Sequence, residues 1–547
     1  MQSYESTATP LPTTSTTTPT SNGRAPRPSS NRTNGHVQNG SAVKKRWILN
    51  AFDMACAGHQ TPGLWKHPLD RSAQYHTLEY WTELAKLLER GKFNGIFIAD
   101  TLGAYDVYNN NPDAAARTGA QWGVDDPTLL ISACALVTKN LSFGVTQSVT
   151  YEHPYTVARK FATLDHLTKG RVAINAVTSY LTSAARSYGL TDQIEHDERY
   201  ARAEEYFNVL YKLWESSWRD DAVILDKARD LYADPSRIRK IHHEGKYFKC
   251  EGPALVEPSP QGTPLVYQAG SSSAGLAFGA RHAEAVFMSG PSPAKIRIQV
   301  DALRDLVEKE GRPRDSIKVL VKLLVIVAET DELAQSKHDE YYALASREGA
   351  KVLFGGWIGQ DLGLYAPDAD LREVGTPPVK GVARGYAALF PEVEKWTADV
   401  LGDHIKVGGM GYAVVGSPKT VADQMQQWID ETDCDGFNLC YAITPGTFED
   451  IVNLLVPELQ RRGVHWTDYP QRPDGQGITA REGIYGVGEV KIDDRHYGAQ
   501  YKWRAGQDVP PSLEKPGSLI SADSEATETA TAGDSESTVN GKKRKVA

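Results

Sequence analysis

Between residues 47 and 470, short apolar runs are separated by longer amphipathic stretches, the signature of buried parallel strands alternating with helices. The stretch from Leu141 to Tyr180 shows this most clearly. Leu141, Phe143 and Val145 alternate in a first strand, and Pro154 then opens a helix with Val157, Phe161, Leu164 and Leu167 three or four apart. Lys169-Gly170 turns the chain, and Val172-Ala173-Ile174 starts a second strand. This order predicts two parallel neighbours joined by a right-handed crossover. Polar residues gather at the predicted carboxyl ends, Thr146 and Ser148 on one strand and Asn175, Thr178 and Ser179 on the next. Ligands sit at that end in parallel α/β proteins.

Extended along the chain, the pattern places strands near residues 47, 95, 141, 171, 265, 284, 317 and 436, each followed by a helix. The clearest helices carry Trp81, Leu84, Leu87 and Leu88 before Gly91, run from Asp126-Pro127 through Thr138, and set Ala203, Phe207, Leu210 and Trp214 on one face. Others are predicted after Ser273, over 293–310, 331–347 and 418–429, and near 448–462. Eight strand–helix repeats predict a closed (β/α)8 TIM barrel, with an open doubly wound sheet as the alternative. Residues 216–262 and 349–411 show little periodicity and read as irregular insertions, candidates for walls or a lid. The chain thus divides into a tail (1–43), a barrel domain (44–470), a Gly-rich polar extension (471–509) and a second tail (510–547). Both tails lack the large apolar side chains needed to offset the entropy of ordering.

Composition narrows the function classes. With 60 Lys and Arg against 69 Asp and Glu, the net charge of −9 gives the body no attraction for nucleic acid or an anionic membrane. No apolar run reaches the ~18 residues of a spanning helix. The longest, from Val319 to Ala328, is interrupted by Lys322. Five scattered cysteines without a C-x-x-C pair point to a reducing compartment such as the cytoplasm. The terminal Lys542-Lys543-Arg544-Lys545 allows nuclear import or a merely solubilising tail.

Candidate chemistry collects at strand ends. Asp100 follows GIFIA, Thr146 lies in VTQS, Asn175 in INAVTS, and Ser271-Ser272 follow LVYQAG. A barrel active site requires several such residues together, although a solvated polar rim looks similar. Small residues in QAGSSSAG leave backbone N–H groups free to cradle a phosphate. Leu276-Ala277 stand where a P-loop needs Lys-Ser/Thr, which excludes an ATPase of that type. His196 and Tyr200, four apart at a helix start, can face one anion, or can belong to an ordinary exposed turn capped by Asp197. Cys56 and His59 suggest a thiolate–imidazole pair or a buried Cys beside a structural His. His242-His243 has no zinc-ligand spacing, so no metal is assigned, and no strand-borne G-x-G-x-x-G marks a dinucleotide site.

Jointly, the segments NAFDMACAGHQTPGLWKHP, YWTELAKLLERGKFNGIFIAD, TYEHPYTVARKFATLDHLTKGR, EHDERYARAEEY, YQAGSS, DGFNL and VPELQRRG resemble the bacterial-luciferase-like flavin monooxygenases. The resemblance spans about Trp47 to Tyr469. It points to the branch containing long-chain alkane, nitrilotriacetate and dibenzothiophene-sulfone monooxygenases, and is nearest to the alkane type. It implies a barrel that binds reduced FMN from a separate NAD(P)H-dependent reductase. With O2 as co-substrate, a flavin C4a-(hydro)peroxide passes one oxygen atom to an alkane, organosulfur or aminocarboxylate substrate. A homodimer or homotetramer is also implied. Asn175 is counted with the cofactor-binding residues, and the resemblance places Asp100 and Thr146 near the isoalloxazine ring. It places His196, Tyr200, Ser271 and Ser272 toward the ribityl phosphate, and Cys56, His59, Tyr105 and Gln121 on the substrate side. The chain departs from the pattern at Tyr180 and Leu353, where histidines are expected, and at Ile174, where Trp is expected. Two other readings stay open: a flavin- or deazaflavin-dependent hydride-transfer enzyme, and a non-catalytic flavin-binding protein.

Overall fold

The computed structural model describes residues 45–507, so the two tails and the terminal basic run lie outside the described residues. Nine parallel strands form the main sheet: β1 (Ile48–Met54), β2 (Gly95–Ala99), β3 (Ser142–Ser148), β4 (Val172–Val177), β5 (Leu265–Gln268), β6 (Ala285–Met288), β7 (Lys318–Val327), β8 (Tyr412–Gly416) and β9 (Gly436–Cys440). Eight of them close a barrel in the order β1-β2-β3-β4-β5-β6-β7-β9, with β9 pairing back onto β1. The closed alternative therefore holds over the open sheet. The remaining strand, β8, was not legible in the pattern. β6 covers only residues 318–321 of β7, and β8 takes over the same edge at residues 323–327.

Helices α1 (Leu78–Arg90), α2 (Ile131–Leu136), α3 (Pro154–Leu167), α4 (His196–Tyr211) and α5 (Ser273–His282) follow the first five barrel strands. In the organising unit, β3 pairs with β4 from Phe143↔Val172 to Ser148↔Val177, and α3 crosses between them with Pro154 in its first turn. Val157, Phe161 and Leu164 are buried as expected, whereas Leu167, at the last position of the stripe, is exposed. The segment after Asp126-Pro127 is a short 3-10 turn followed by α2, and ends at Leu136 rather than Thr138. The helix from Asp331 stops at Leu344.

Inward strand positions such as Ile48, Phe52, Phe97, Ala173, Leu265, Tyr267, Leu320 and Leu324 form one apolar cluster. Outward positions such as Leu49, Ile98, Val145 and Ile174 pack with Trp81, Leu84 and Phe161 of the helices. Register sets Lys322, Asn438 and Asn50 side by side on β7, β9 and β1. All three are buried inside the barrel.

Both supposedly irregular insertions are ordered. Residues 216–262 carry two small antiparallel hairpins, Val223–Asp226 with Leu231–Ala233 and His243–Glu244 with Lys249–Cys250. Residues 349–411 are mostly helical. Helix α6 (Arg347–Ile358) packs with Leu371–Val374, Pro377–Ala387 and Ala398–Ile405 around a core of Phe354, Val379, Trp396 and Leu401. Short helices broken by Gly and Pro give too few turns for periodicity to register.

Part of the polar extension also has a defined place. Helix α7 (Ala480–Tyr485) lies across the amino-terminal end of the barrel. Arg46 and Asn94, ahead of β1 and β2, each donate to the Gly483 carbonyl at 2.8 Å, and the Ala480 amide donates to Gly170 O ahead of β4 at 2.8 Å. Arg481 pairs with Glu284, ahead of β6, at 2.7 and 2.8 Å and donates to Thr263 O, ahead of β5, at 3.0 Å. Tyr485 reaches Ser316 O, ahead of β7, at 2.7 Å.

Candidate active site

A cavity of about 450 Å³ opens at the carboxyl end of the strands, within the range that takes small-molecule cofactors and substrates. Asp100, Thr146, Asn175, His196, Tyr200, His59, Tyr105, Gln121 and Tyr180 all line it. Ser271, Ser272 and Cys56 are not among its lining residues. Ser272 instead caps α5, accepting from the Gly275 amide at 3.1 Å. Cys56 is buried behind the wall, and burial, reinforced by Asp53 and Asp100, pushes its thiol up. This disfavours the thiolate that a thiolate–imidazole pair with His59 would need.

One pole is built from β4, α4 and the loop after β5. Asn175 Nδ2 donates to Thr146 Oγ1 at 2.8 Å, a pairing set by their cross-strand register. Asn175 Oδ1, Gln268 Oε1 and Arg199 Nε are buried without hydrogen-bond partners. Glu195, not Asp197, caps α4, accepting from the Asp197 and Glu198 amides, so the helix start carries His196 and Tyr200 on the cavity side. The Tyr200 hydroxyl lies over two glycines, 2.7 Å from where a Cβ on Gly270 would sit and 2.8 Å from one on Gly275. Arg199 donates to Ser179 O, and Ser179 holds a left-handed φ of 56°. Burial pulls the Arg199 guanidinium down, so a negative partner here is favoured.

The opposite wall comes from the loop after β1, from β7 and from the helical insertion. His59 is 2% exposed, its ring lies edge-on to Phe52 at 4.4 Å, and neither ring nitrogen completes a hydrogen bond. Burial, aided by the Lys322 charge, pulls its pKa down to about 3, so the imidazole is neutral around pH 7. Gln121, at a left-handed φ of 45°, donates to His59 O at 2.8 Å. The Tyr105 and Tyr180 hydroxyls share a hydrogen bond of 2.5 Å. Tyr105 packs so closely on α6 that a Cβ at Gly356 would strike its ring at 2.0 Å. Leu353, also on α6, is buried in the cluster around Tyr105. Asp100, largely buried and facing Asp126 and Glu152, is raised to about 7.

Lys322, Arg199, Trp357 and Met410 are among the lining residues not singled out from sequence as site residues. Lys322 showed only as a charge interrupting an apolar run, which in a buried strand is itself a signal. Arg199 lies between the two residues that were chosen on α4. Trp357 and Met410 come from the segment read as irregular.

Residues 58–432 match the family model described as luciferase-like monooxygenase. The chain is 44% identical over 461 residues to the dimethyl-sulfide monooxygenase of Hyphomicrobium sulfonivorans, covering 84% of this chain and 94% of that one. It is also 44% identical over 461 residues to the long-chain alkane monooxygenase of Geobacillus thermodenitrificans, covering 84% and 99%. A solved riboflavin lyase with modified FMN and riboflavin superposes with a TM-score of 0.75 at 33% identity, over 84% of this chain and all of that one. The barrel, the mouth cavity and these similarities agree: the chain belongs to the luciferase-like monooxygenase family.

Proposed function

We propose that this protein is the oxygenase of a two-component system, taking reduced FMN from a separate NAD(P)H-dependent reductase and placing one atom of O2 into a small organic substrate. The observation that carries this reading is a single cavity joining an anion-binding pole to a ring-sized wall of mixed apolar and polar character. The residues fit FMN. Arg199, His196 and Tyr200 would hold its phosphate, the close glycines 270 and 275 leaving room for the Tyr200 hydroxyl. The unpartnered Asn175 Oδ1 and Gln268 Oε1 would accept from its polar groups, beside Thr146 and Asp100. When bound and reduced, FMN supplies the activation of O2 and the transfer of one oxygen atom.

The protein's own residues do the rest. Phe52, Phe97, Phe287, Trp357 and Met410 exclude water from the reacting face. His59, held neutral by burial, can offer its imidazole N–H to a bound group. The Tyr105–Tyr180 hydroxyl pair could relay a proton between wall and mouth, and Tyr180 stands where the family pattern expects a histidine. Gln121 fixes the His59 backbone. Similarity to the dimethyl-sulfide and alkane monooxygenases supports a substrate among small organosulfur compounds, alkanes and comparable organic molecules.

Fluorescence-quench titration with FMN tests the reading. One flavin per chain is expected, with Tyr200→Phe weakening affinity about fivefold or more by loss of one hydrogen bond. Unchanged affinity in that variant would remove Tyr200 from the cofactor pole.

A further inference from the structure

We propose that Lys322 is the anchor for an anionic group on the substrate, so that the preferred substrate is an apolar or aromatic molecule bearing a carboxylate or sulfonate. This rests on the cavity being the flavin and substrate site. Lys322 comes from the middle of β7, lines the cavity and is 4% exposed. Its ammonium donates to Gln60 Oε1 and Gly408 O, both at 2.8 Å. An ammonium has three donors. Neither partner carries a charge, and no carboxylate pairs with it among the described residues.

A buried cation held only by two neutral oxygens costs the fold free energy, and such costs persist where a ligand completes the site. The surroundings are shaped for it. The turn at Gly408 and Gly409, with φ of 84° and 66°, brings the Gly408 carbonyl onto the ammonium. A Cβ at Gly411 would strike the lysine Cε at 2.3 Å, so glycine there gives the stem its channel. A second observation points to a ligand in the same wall: His59, adjacent to Gln60 and electrostatically coupled to Lys322, has both ring nitrogens buried and neither in a completed hydrogen bond, the Phe52 backbone lying near one of them. An oxyanion can take the third ammonium donor and the imidazole N–H together, while Phe52, Phe287, Trp357 and Met410 take an apolar body. Arg199, which serves the phosphate pole, stands on α4, the helix after β4, and β4 is three strands around the barrel from β7, so the two cationic positions serve different groups.

The titratable groups facing Lys322 are His59, from the loop after β1, and the Cys440 thiol at the end of β9. Burial holds His59 neutral and the thiol protonated across neutral pH, so neither changes charge there. Burial also pulls the lysine below its usual range. Raising the pH therefore discharges the anchor, and anion binding weakens.

Calorimetry with 3-phenylpropionate, 2-phenylethanesulfonate and the neutral 3-phenylpropionamide tests this, on the protein with and without saturating FMN. The wild-type protein should bind both anions about tenfold or more tighter than the amide. Lys322→Met should erase the preference, Lys322→Arg should keep part of it, and the wild-type preference should shrink from pH 6 to pH 9. Equal affinities in the wild-type protein, no anion binding, or a preference that survives Lys322→Met would overturn the proposal. Loss of FMN affinity in Lys322→Met would move the lysine to the cofactor and overturn it too. Failure of the wild-type protein to bind FMN would instead count against the flavin reading.

Discussion

The two ends of the barrel are built from the same strands and treat buried polarity in opposite ways. At the amino end, α7 meets the segments ahead of six of the barrel strands with paired donors and acceptors. Arg481 and Glu284, 1% and 4% exposed, form a two-point ion pair. Burial alone would raise Glu284, but Arg481 more than offsets it and holds the carboxyl below its usual range. At the carboxyl end, His59, Asn175, Gln268 and Arg199 keep polar atoms unpaired, and Asp53 and Asp100 are both raised to about 7. The contacts of α7 are met by the chain itself, while the cavity wall at the other end keeps atoms open for what it binds. Polar groups left unpaired in a core are costly, so a group of them lining one cavity marks function rather than packing error.

The sharpest way to break this contrast is to disturb the sealed end. Arg481→Met should cost about 3–5 kcal/mol by stranding the Glu284 carboxylate, read as a lower midpoint in urea. The FMN affinity of the folded fraction should be unchanged. A stability loss below about 1 kcal/mol would mean that the amino end is not the stabilising one.

The pH dependence should have opposite signs at the two ends. Glu284 is depressed in the folded state, so its contribution is present at neutral pH and is lost as pH falls through its folded value. Asp53 is raised from 3.8 to about 7, chiefly by burial. Between those values the folded protein keeps a proton that the unfolded chain has released, so stability falls as pH rises through that window. The rise corresponds to at most about 4 kcal/mol. Urea midpoints of Asp53→Asn should show a shallower decline between about pH 4 and pH 7, the remainder coming from Asp100, which is raised to about 7 as well.

Gly270→Ala is the mouth's counterpart to Arg481→Met. The new Cβ would lie 2.3 Å from Gln268 Nε2 and 2.7 Å from the Tyr200 hydroxyl. Both are ends of movable side chains, so the fold should lose no more than about 1–2 kcal/mol. FMN affinity should fall about tenfold because the cradle closes. The smallest effect is expected from Tyr180→Phe, which removes one hydroxyl of the 2.5 Å pair. A twofold to tenfold loss in turnover, with FMN affinity intact, corresponds to about 0.5–1.5 kcal/mol.

The same contrast explains what could be read in advance. Buried parallel strands are apolar on both faces, so GIFIA, VAINAV and GFNLC announced themselves without any partner in view. Asp100, Thr146 and Asn175 followed from lying where those runs end. Residues 472–507 did not, because Arg481 acquires its meaning from Glu284, 197 positions away. Strand β8 stayed hidden because YAVVG follows a glycine-rich turn and pairs only with the half of β7 that outruns β6. Cys56 and His59 looked alike as candidates. The turn through Ala57 and Gly58 separates them, putting the imidazole on the cavity while the buried thiol does not line it. Lys322 was visible as a charge in an apolar run, but its direction depends on the barrel closing.

The measurement that bears most directly on the account is an anaerobic titration with reduced FMN, followed by rapid mixing with oxygenated buffer while absorbance is recorded. The account predicts saturable binding at one flavin per chain and a flavin reoxidation course clearly distinct from that of free reduced FMN. No binding, or reoxidation indistinguishable from free flavin, would contradict it.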